Sequence, residues 1–392
     1  MRKEELYFSD EEIRFREEVR AFLEREVAPL VDDIYKKDIF PRELYRKLGE
    51  SGFLGQVFPP EYGGRGKLIY EAIVAEELGA ACSPLAYLHS TSSYSYATIM
   101  RHGTEEQKER YLEPMRKGEK LGAIVITEPE AGSDVMMMKT IARREGDEYV
   151  INGEKRNITT GSQADVLLVW AITNPHVDPA QGMTCFIVEP DFAGFEVEKE
   201  YKILGGLPGL VNSHLRFNNM RVPAENVLGR ENEGFKVMVD ELAIERSLYA
   251  AMLVGEAKPT LELAVRYSSE RVQFGVPIRS FEAISFRIAD MATKLQAARL
   301  LVYHAVRLID AGFDAVKESA MAKVFASETF FEIAHNAVQI LGGRGLSDEY
   351  PAEWAFRRAR LSMIPTGTNE IMRFIVQREI YKELKESGGL SF

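Results

Sequence analysis

The sequence predicts an α+β protein of three domains, and three observations support this organisation. Helical periodicity fills residues 1–120, short β-rich segments fill residues 121–231, and long Ala-rich helical stretches occupy residues 232–392. No alternating strand and helix pattern and no G-x-G-x-x-G fingerprint occurs, which argues against a doubly wound nucleotide-binding sheet. With 392 residues, each segment is long enough to bury a core of its own.

The composition is that of an acidic globular protein. Hydrophobic residues make up 45% of the chain, charged residues 28%, and the formal net charge is −11. This charge argues against a nucleic-acid partner, because such partners require a positive surface. Cys82 and Cys185 are too few for a disulfide framework or a metal cluster, and we interpret them as small buried hydrophobic residues. The six histidines are scattered, so no metal site is predicted.

The beginning of the sequence and its apolar runs predict the cellular setting. The opening MRKEELYFSDEEIRF is charged and lacks the apolar segment of a signal peptide. The longest apolar runs, such as residues 166–172, are too short to span a membrane. We therefore expect a cytoplasmic protein without a membrane span.

The first segment opens with an amphipathic helix. Ser9 and Glu12 have the spacing of a capping box, and apolar residues follow at helical intervals. Glycine and proline residues separate four further helices, which are predicted at about 41–51, 70–80, 85–101 and 104–117.

The second and third segments differ in their hydrophobic period. Residues 121–231 carry short β-rich runs and predict an antiparallel β domain, in which Asn152 and Gly153 have the signature of a two-residue hairpin turn. The helices after Gly229 are apolar on nearly all sides and rich in alanine, which predicts a helical bundle.

Five motifs resemble those of the acyl-CoA dehydrogenase family, in the family's order and over nearly the whole chain. The pattern is most similar to the isovaleryl-CoA dehydrogenase branch. The resemblance implies an N-terminal helical domain, a middle antiparallel β-barrel-like domain and a C-terminal four-helix bundle. The motifs are GAIVITEPEAGSD (122–134), NGEKRNIT (152–159), RVQFG (271–275), QILGGRG (339–345) and PTGTNEI (365–371).

The resemblance implies FAD as the cofactor. By residue type alone, the loop after Thr127 offers hydroxyl and N–H groups to a ligand, with a plain connection as the alternative. In the family, residues matching Arg271 and Phe274 reach the adenine half of an FAD held by a neighbouring subunit, which implies a homotetramer built as a dimer of dimers. The cofactor contacts implied are Ile124, Ile126, Thr127, Ser133, Asn157, Ile158, Thr159, Arg271, Phe274, Gln339, Gly342, Gly343, Thr368 and Glu370.

The implied reaction is the α,β-dehydrogenation of an acyl-CoA thioester. A carboxylate removes the α-proton, flavin N5 accepts the β-hydride, and an electron-transferring flavoprotein receives the electrons. Many family members carry the base directly before the Gly-Thr of the last motif, where this chain has Thr366. Isovaleryl-type members carry it on the first long helix of the bundle, at the position of Glu245.

The residues around Glu245 and Thr366 suggest how each would act. Burial on an apolar helix would raise the pKa of Glu245 towards neutrality; an exposed Glu on a solvated face is the alternative. The N–H of Thr366 would polarise the thioester carbonyl. Ser133, Arg246 and Gly367 are the expected substrate contacts.

Several positions depart from the family pattern. Asn157 stands where an aromatic residue usually screens the flavin, Glu282 replaces a glutamine near the adenine, and Ala243 replaces a polar residue that holds CoA. The hydroxyl-rich run YLHSTSSYSY resembles the element that shapes the acyl pocket and favours a polar or compact acyl group, with packing and exposed hydroxyls as the alternative; the predicted substrate carries a short or branched acyl chain. Two alternatives remain: an acyl-CoA oxidase of the same fold, and a non-catalytic acyl-CoA or partner-binding scaffold.

Overall fold

The computed structural model describes residues 6–203 and 207–390. Its first part is helical, and the predicted helices are confirmed to within a few residues. The capping box is also present, since the Glu12 N–H donates to Ser9 Oγ and the Ser9 N–H donates to Glu12 Oε2 at 2.9 Å. The helices are α1 Asp10–Phe22, α2 Val31–Lys37, α3 Arg42–Glu50, α4 Leu68–Ala81, α5 Ser83–His102 and α6 Glu105–Arg116.

Eight strands of the middle part form one connected sheet. Its order is β6-β7-β3-β2-β4-β5-β8, with β1 paired to β4, and one helical turn, α7 Pro179–Gly182, precedes β5. The strands are β1 Gly122–Val125, β2 Ile141–Glu145, β3 Glu148–Thr159, β4 Val166–Ile172, β5 Met183–Val188, β6 Phe195–Tyr201, β7 Asn212–Pro223 and β8 Val227–Leu228.

The prediction of a purely antiparallel sheet is wrong at its centre. Strand β1 runs parallel to β4, with Gly122 opposite Val166, and β2 meets β4 in the same sense. All seven residues of β4 are buried, as expected for a central strand covered on both faces, which is the setting in which parallel pairing occurs.

The hairpin predicted at Asn152 and Gly153 is also wrong. Both residues lie inside β3, and the turn between β2 and β3 falls at Gly146 and Asp147. Gly153 has φ of 152° and lies at a register shift against β7. A Cβ there would lie 2.4 Å from the Thr140 hydroxyl oxygen, so glycine serves a bulge and a close approach rather than a turn.

The last part is a bundle of long helices. A two-stranded hairpin, β9 Val272–Gln273 and β10 Val276–Pro277, separates the first two of them. The helices are α8 Gly234–Glu270, α9 Glu282–Asp310, α10 Val316–Leu341, α11 Pro351–Leu361 and α12 Asn369–Ser387.

A shared core joins the N-terminal helices to the bundle. One cluster of buried side chains runs from α1 and α4 to α8, α9 and α10. Buried Glu76 of α4 pairs with Arg16 of α1 and Arg299 of α9, so an ion network crosses the same contact. Cys82 and Cys185 are free and buried, which confirms their interpretation as small core residues.

None of the helices in residues 6–203 and 207–390 is both long enough and apolar enough to cross a membrane.

The bulge at Gly153 gives a stability prediction. Gly153→Ala should lower the free energy of unfolding by about 2–4 kcal/mol, because the methyl group meets Thr140 while the backbone is strained. Gly146→Ala is the matched control, since its added Cβ faces open space and only the positive φ costs energy, about 1 kcal/mol. Urea unfolding of both variants measures the difference, and equal losses would contradict this explanation.

Candidate active site

Glu245 lies on α8 in a largely desolvated position. Burial raises the pKa of its carboxyl group to about 7, while the charges of Arg246 and Lys323 act in the opposite direction. Arg246 is itself buried, and its Nε has no hydrogen-bond partner among residues 6–203 and 207–390. The position therefore combines a carboxylate that titrates near neutrality with two nearby cations.

Two tyrosines stand beside Glu245. Tyr94 of α5 is buried, and its hydroxyl donates to the Met238 carbonyl. Burial is the main cause that raises the pKa of Tyr94, and the nearby charge of Glu245 is the second. Tyr249 lies one turn along α8, on the same face as Glu245. The hydroxyl groups of Tyr249 and Tyr87 are 2.7 Å apart. One aromatic ring, that of Tyr94, is therefore near the carboxylate, and a second lies one helical turn away.

The loop between α11 and α12 presents unpartnered donors. Thr366 adopts φ of 58°, which is unusual for a β-branched residue. Within the described part of the chain, neither its N–H nor its buried hydroxyl group has a hydrogen-bond partner. After Gly367, Thr368 caps α12 by accepting a bond from the Ile371 N–H at 3.3 Å. Buried groups of this kind are expensive for folding, so they indicate a ligand position.

Lys323 connects this loop to Glu245. Its fully buried ammonium group, on α10, donates to the Gly367 carbonyl at 2.9 Å and to Asn369 Oδ1 at 2.8 Å. Desolvation first, and then the charge of Arg246, lower the pKa of Lys323 to about 7, and Glu245 is among the groups that act on it. The base candidate and the loop therefore belong to one cluster.

Sequence reasoning missed Lys323. The signal that could have found it is a lysine inside the apolar run AMAKVFA, at a helix position where solvent is not expected.

The segment after β1 is held rigidly against β3. The Thr127 carbonyl accepts a bond from the Arg156 N–H at 2.8 Å. Buried Lys155 donates to the Ile126 carbonyl at 2.9 Å and to Glu128 at 3.0 Å. Glu128 also accepts bonds from two backbone N–H groups at the start of β2. A fixed loop leaves polar groups such as the Thr127 hydroxyl pre-organised for a ligand.

The other middle-domain candidates lie along the same edge, with different exposure. Ile124 and Thr159 are half-buried, and Ser133 is exposed. Asn157 adopts φ of 59°, and its N–H donates to the Tyr201 hydroxyl at 2.9 Å. The Ile158 side chain is buried inside the sheet core, so only its backbone can face a cofactor.

The remaining candidates form a second cluster at the other end of α8. Phe274 is 95% exposed, and Arg271, Gln339, Gly342 and Gly343 are exposed as well. The Arg344 guanidinium lies over the Tyr267 ring at 5.9 Å, which brings the turn after α10 to the end of α8.

The two clusters are far apart within one chain. Glu245 and Arg271 are separated by 26 residues along α8, which corresponds to roughly 39 Å at the rise of an α-helix. One chain therefore does not bring Arg271 to the site of Glu245.

Three potential metal ligands meet on the middle sheet. Oxygen and nitrogen atoms of Glu154, Glu198 and His214 lie within 4.8 Å of one another. The Arg216 guanidinium pairs with the carboxylates of Glu154 and Glu198 at 2.9 and 2.7 Å, so a side-chain cation takes the place that a metal ion would need.

The chain is similar to known proteins along most of its length. Three family models match successive parts of the chain: acyl-CoA dehydrogenase N-terminal domain over residues 9–119, middle domain over 123–220 and C-terminal domain over 232–381. An acyl-CoA dehydrogenase of Bacillus subtilis is 39% identical over 377 residues, which is 95% of this chain and 98% of that protein. The chain belongs to the acyl-CoA dehydrogenase family. The resemblance to the family and the three-domain fold class are thereby confirmed, while the similarity to the isovaleryl-CoA dehydrogenase branch stays a prediction.

Other family members refine this comparison. The structure of butyryl-CoA dehydrogenase from Megasphaera elsdenii superimposes with a TM-score of 0.91 at 36% identity, covering 95% of this chain and 99% of that one. The caffeyl-CoA reductase-Etf complex subunit CarC of Acetobacterium woodii is 38% identical over 96% of this chain and 100% of its own length. The family consists of flavoproteins, and this chain is accordingly an oxidoreductase.

The raised pKa of Glu245 predicts a pH-dependent stability difference. Between its ordinary pKa of 4.5 and about 7, folded Glu245 retains a proton that the unfolded chain has lost, so this residue destabilises the fold increasingly as the pH rises. Glu245→Gln should therefore gain stability over the wild type across that range, reaching about 2–3 kcal/mol above pH 7.

Urea unfolding at a series of pH values tests this expectation. Glu262→Gln is the matched control, because Glu262 is exposed on the same helix and its replacement should give no pH-dependent gain. A constant difference between Glu245→Gln and the wild type from pH 5 to 8 would contradict the desolvated position of Glu245.

Proposed function

We propose that this chain is an FAD-dependent acyl-CoA dehydrogenase that converts a short or branched acyl-CoA to the 2-enoyl-CoA. The proposal rests on one observation. Glu245, whose pKa is about 7, belongs to the same cluster as a loop in which, among the described residues, the Thr366 N–H and hydroxyl have no hydrogen-bond partner. A base and an electrophilic contact are the two elements that removal of a proton next to a thioester carbonyl requires.

The residues present fit a flavin cofactor. The fixed loop after Thr127 and the capped start of α12 at Thr368 offer polar groups, and the orphaned Thr366 hydroxyl is buried between protein elements. When bound, the flavin supplies the two-electron acceptor that takes the β-hydride. The residues that would hold it are those of the two middle-domain motifs together with Thr368 and Glu370.

The chain's own residues would carry the proton chemistry. Glu245 would accept the α-proton, and a pKa near 7 leaves about half of it ionised at neutral pH. The Thr366 N–H would donate to the thioester carbonyl oxygen, where negative charge develops as the proton leaves. Arg246, Ser133 and Gly367 would contact the rest of the substrate.

The tyrosines support a compact acyl group. Tyr94 and Tyr249 are both 1% exposed, the first near Glu245 and the second one turn along α8 from it, and the Tyr249 hydroxyl bonds that of Tyr87. Rings in these positions leave little room for a long chain.

We further propose an electron-transferring flavoprotein as the partner and the cytoplasm as the location. The name of the Acetobacterium woodii relative places that protein in a reductase complex with such a flavoprotein. The same name favours a second candidate, reduction of a 2-enoyl-CoA, in which protonated Glu245 would return the α-proton.

We also propose that the chain assembles as a homotetramer, a dimer of dimers. The roughly 39 Å between Glu245 and Arg271 means that the adenine contacts would come from a neighbouring subunit. An apolar groove of about 360 Å³ between α9, α10 and α12 supports a contact between copies of the chain, since such a surface is otherwise costly to expose. Its lining includes Leu301, Met321, Val324, Phe325, Val376 and Ile380.

The visible spectrum of the purified protein tests the proposal. Anaerobic addition of straight, branched, aromatic and dicarboxylic acyl-CoAs should bleach an oxidised flavin band with the preferred class. Rapid peroxide formation in air would identify an oxidase, bleaching only by an external reductant followed by reoxidation with enoyl-CoA would identify a reductase, and a protein without flavin would favour the scaffold alternative.

The role of Glu245 gives a kinetic prediction. Glu245→Gln should bind flavin normally and reduce the rate of bleaching by roughly 10²- to 10⁴-fold, because the general base is lost. In the wild type, the rate should rise with pH around pH 7, since only ionised Glu245 accepts the proton. Glu262→Gln is the control, and a near-normal rate in Glu245→Gln would assign the base to another residue.

The shared site gives a prediction for mixed oligomers. Glu245→Gln and Arg271→Gln should each be poorly active alone, the second through weaker FAD binding. When unfolded and refolded together, they should recover activity, because an Arg271→Gln subunit retains Glu245 and its neighbour supplies Arg271. Refolding each variant alone is the control, and no recovery on mixing would place both residues in one subunit's site.

A further inference from the structure

We propose that Lys323 is the positioning residue of the loop that polarises the thioester. Its ammonium group would fix the Gly367 carbonyl and thereby aim the Thr366 N–H at the carbonyl oxygen of the substrate. This inference rests on the proposed function, because it specifies how that loop acquires its geometry.

The contacts of Lys323 lie on both sides of the loop's last residues. Its Nζ donates to the Gly367 carbonyl at 2.9 Å and to the Asn369 side chain, at Oδ1, at 2.8 Å, so one cation holds the backbone before Thr368 and the side chain after it. Ser327, one turn along α10, also donates to Asn369 Oδ1, at 3.1 Å. The end of the loop is therefore tied to α10 as well as to its own residues, since the Asn369 N–H donates to the Met363 carbonyl at 3.1 Å.

The loop needs such an external reference. Thr366 and Gly367 both have positive φ, of 58° and 93°, and a β-branched residue does not hold this conformation by itself. A carbonyl held at Gly367 fixes the peptide plane between Gly367 and Thr368. The plane that carries the Thr366 N–H lies two planes before it and is joined to it through only the φ and ψ angles of Thr366 and Gly367, so the bond to Lys323 limits the directions open to that N–H.

A buried lysine is also an expensive choice for a merely structural contact. Lys323 is fully buried, and charged groups on three helices act on it: Glu245 and Arg246 of α8, Glu328 of α10 and Glu370 of α12. Desolvation dominates and lowers its pKa to about 7. A neutral side chain would avoid this cost, whereas a cation beside the loop additionally favours negative charge on the substrate carbonyl oxygen.

The test separates the thioester carbonyl from the rest of the ligand. The two probes are 2-butenoyl-CoA, which has the carbonyl, and S-butyl-CoA, a thioether that lacks it. Their dissociation constants are measured by titrating the flavin absorbance of the holoenzyme, in the wild type and in Lys323→Met. Lys317→Met is the matched control, because Lys317 is a buried lysine of the same helix that pairs with Glu383.

The expected result is selective. Lys323→Met should weaken 2-butenoyl-CoA binding at least 10-fold and S-butyl-CoA binding less than 2-fold, and should lower the rate of flavin bleaching more than it raises KM. Lys317→Met should leave both dissociation constants, the bleaching rate and KM close to the wild-type values. Lys323→Arg, which keeps the charge but alters its reach, provides the same comparison if the methionine variant does not fold.

Two different failures can be told apart. If both ligands are weakened equally, or neither is, while wild-type flavin is bleached by an acyl-CoA, the role of Lys323 is wrong and the proposed function stands. If wild-type flavin responds to no thioester and binds neither probe, the proposed function itself is wrong.

Discussion

Desolvation of charge at the junction of α8, α10 and the loop before α12 is the constraint on which this structure depends. Glu245, Arg246 and Lys323 are ionisable groups in one region, of which Arg246 and Lys323 are buried and Glu245 is half-buried, and their pKa values are shifted towards neutrality or below their usual range. Mutual attraction offsets part of the cost of burying them, but the shifts that remain are unfavourable to folding. The surrounding helices must therefore supply the stability.

The core that supplies it is continuous across the helical parts. Buried side chains from α1 and α4 pack against α8, α9 and α10, and the Glu76 ion network ties the same helices together. The middle sheet is attached through a second cluster that includes Tyr94 and Trp170, whose indole N–H donates to the Gly234 carbonyl at 2.8 Å. This bond joins the sheet to the first residue of α8, the helix that carries Glu245.

Sequence reasoning succeeded where the signals are local. The capping box at Ser9 and the helices α3 to α6 depend on neighbouring residues, and the structure contains them. The pairing of β1 with β4 is not local, so the antiparallel expectation failed there. The turn predicted at Gly153 was wrong because turns and bulges both use the conformational freedom of glycine. The close contact with Thr140, which identifies the bulge, comes from the fold and not from neighbouring residues. The motif resemblance indicated Glu245 and Thr366, but not the lysine between them.

The loop before α12 shows how function can be separated from folding. Thr366 has positive φ, and within the described residues neither its buried hydroxyl nor the Nε of buried Arg246 has a hydrogen-bond partner, so both residues reduce stability. Groups that contribute to folding are normally satisfied within the fold. The bonds from Lys323 to the Gly367 carbonyl and to Asn369 Oδ1 hold the end of the loop next to these costly groups. The opposite end of α8 is costly in a different way, because it leaves the aromatic side chain of Phe274 95% exposed beside the exposed Arg271.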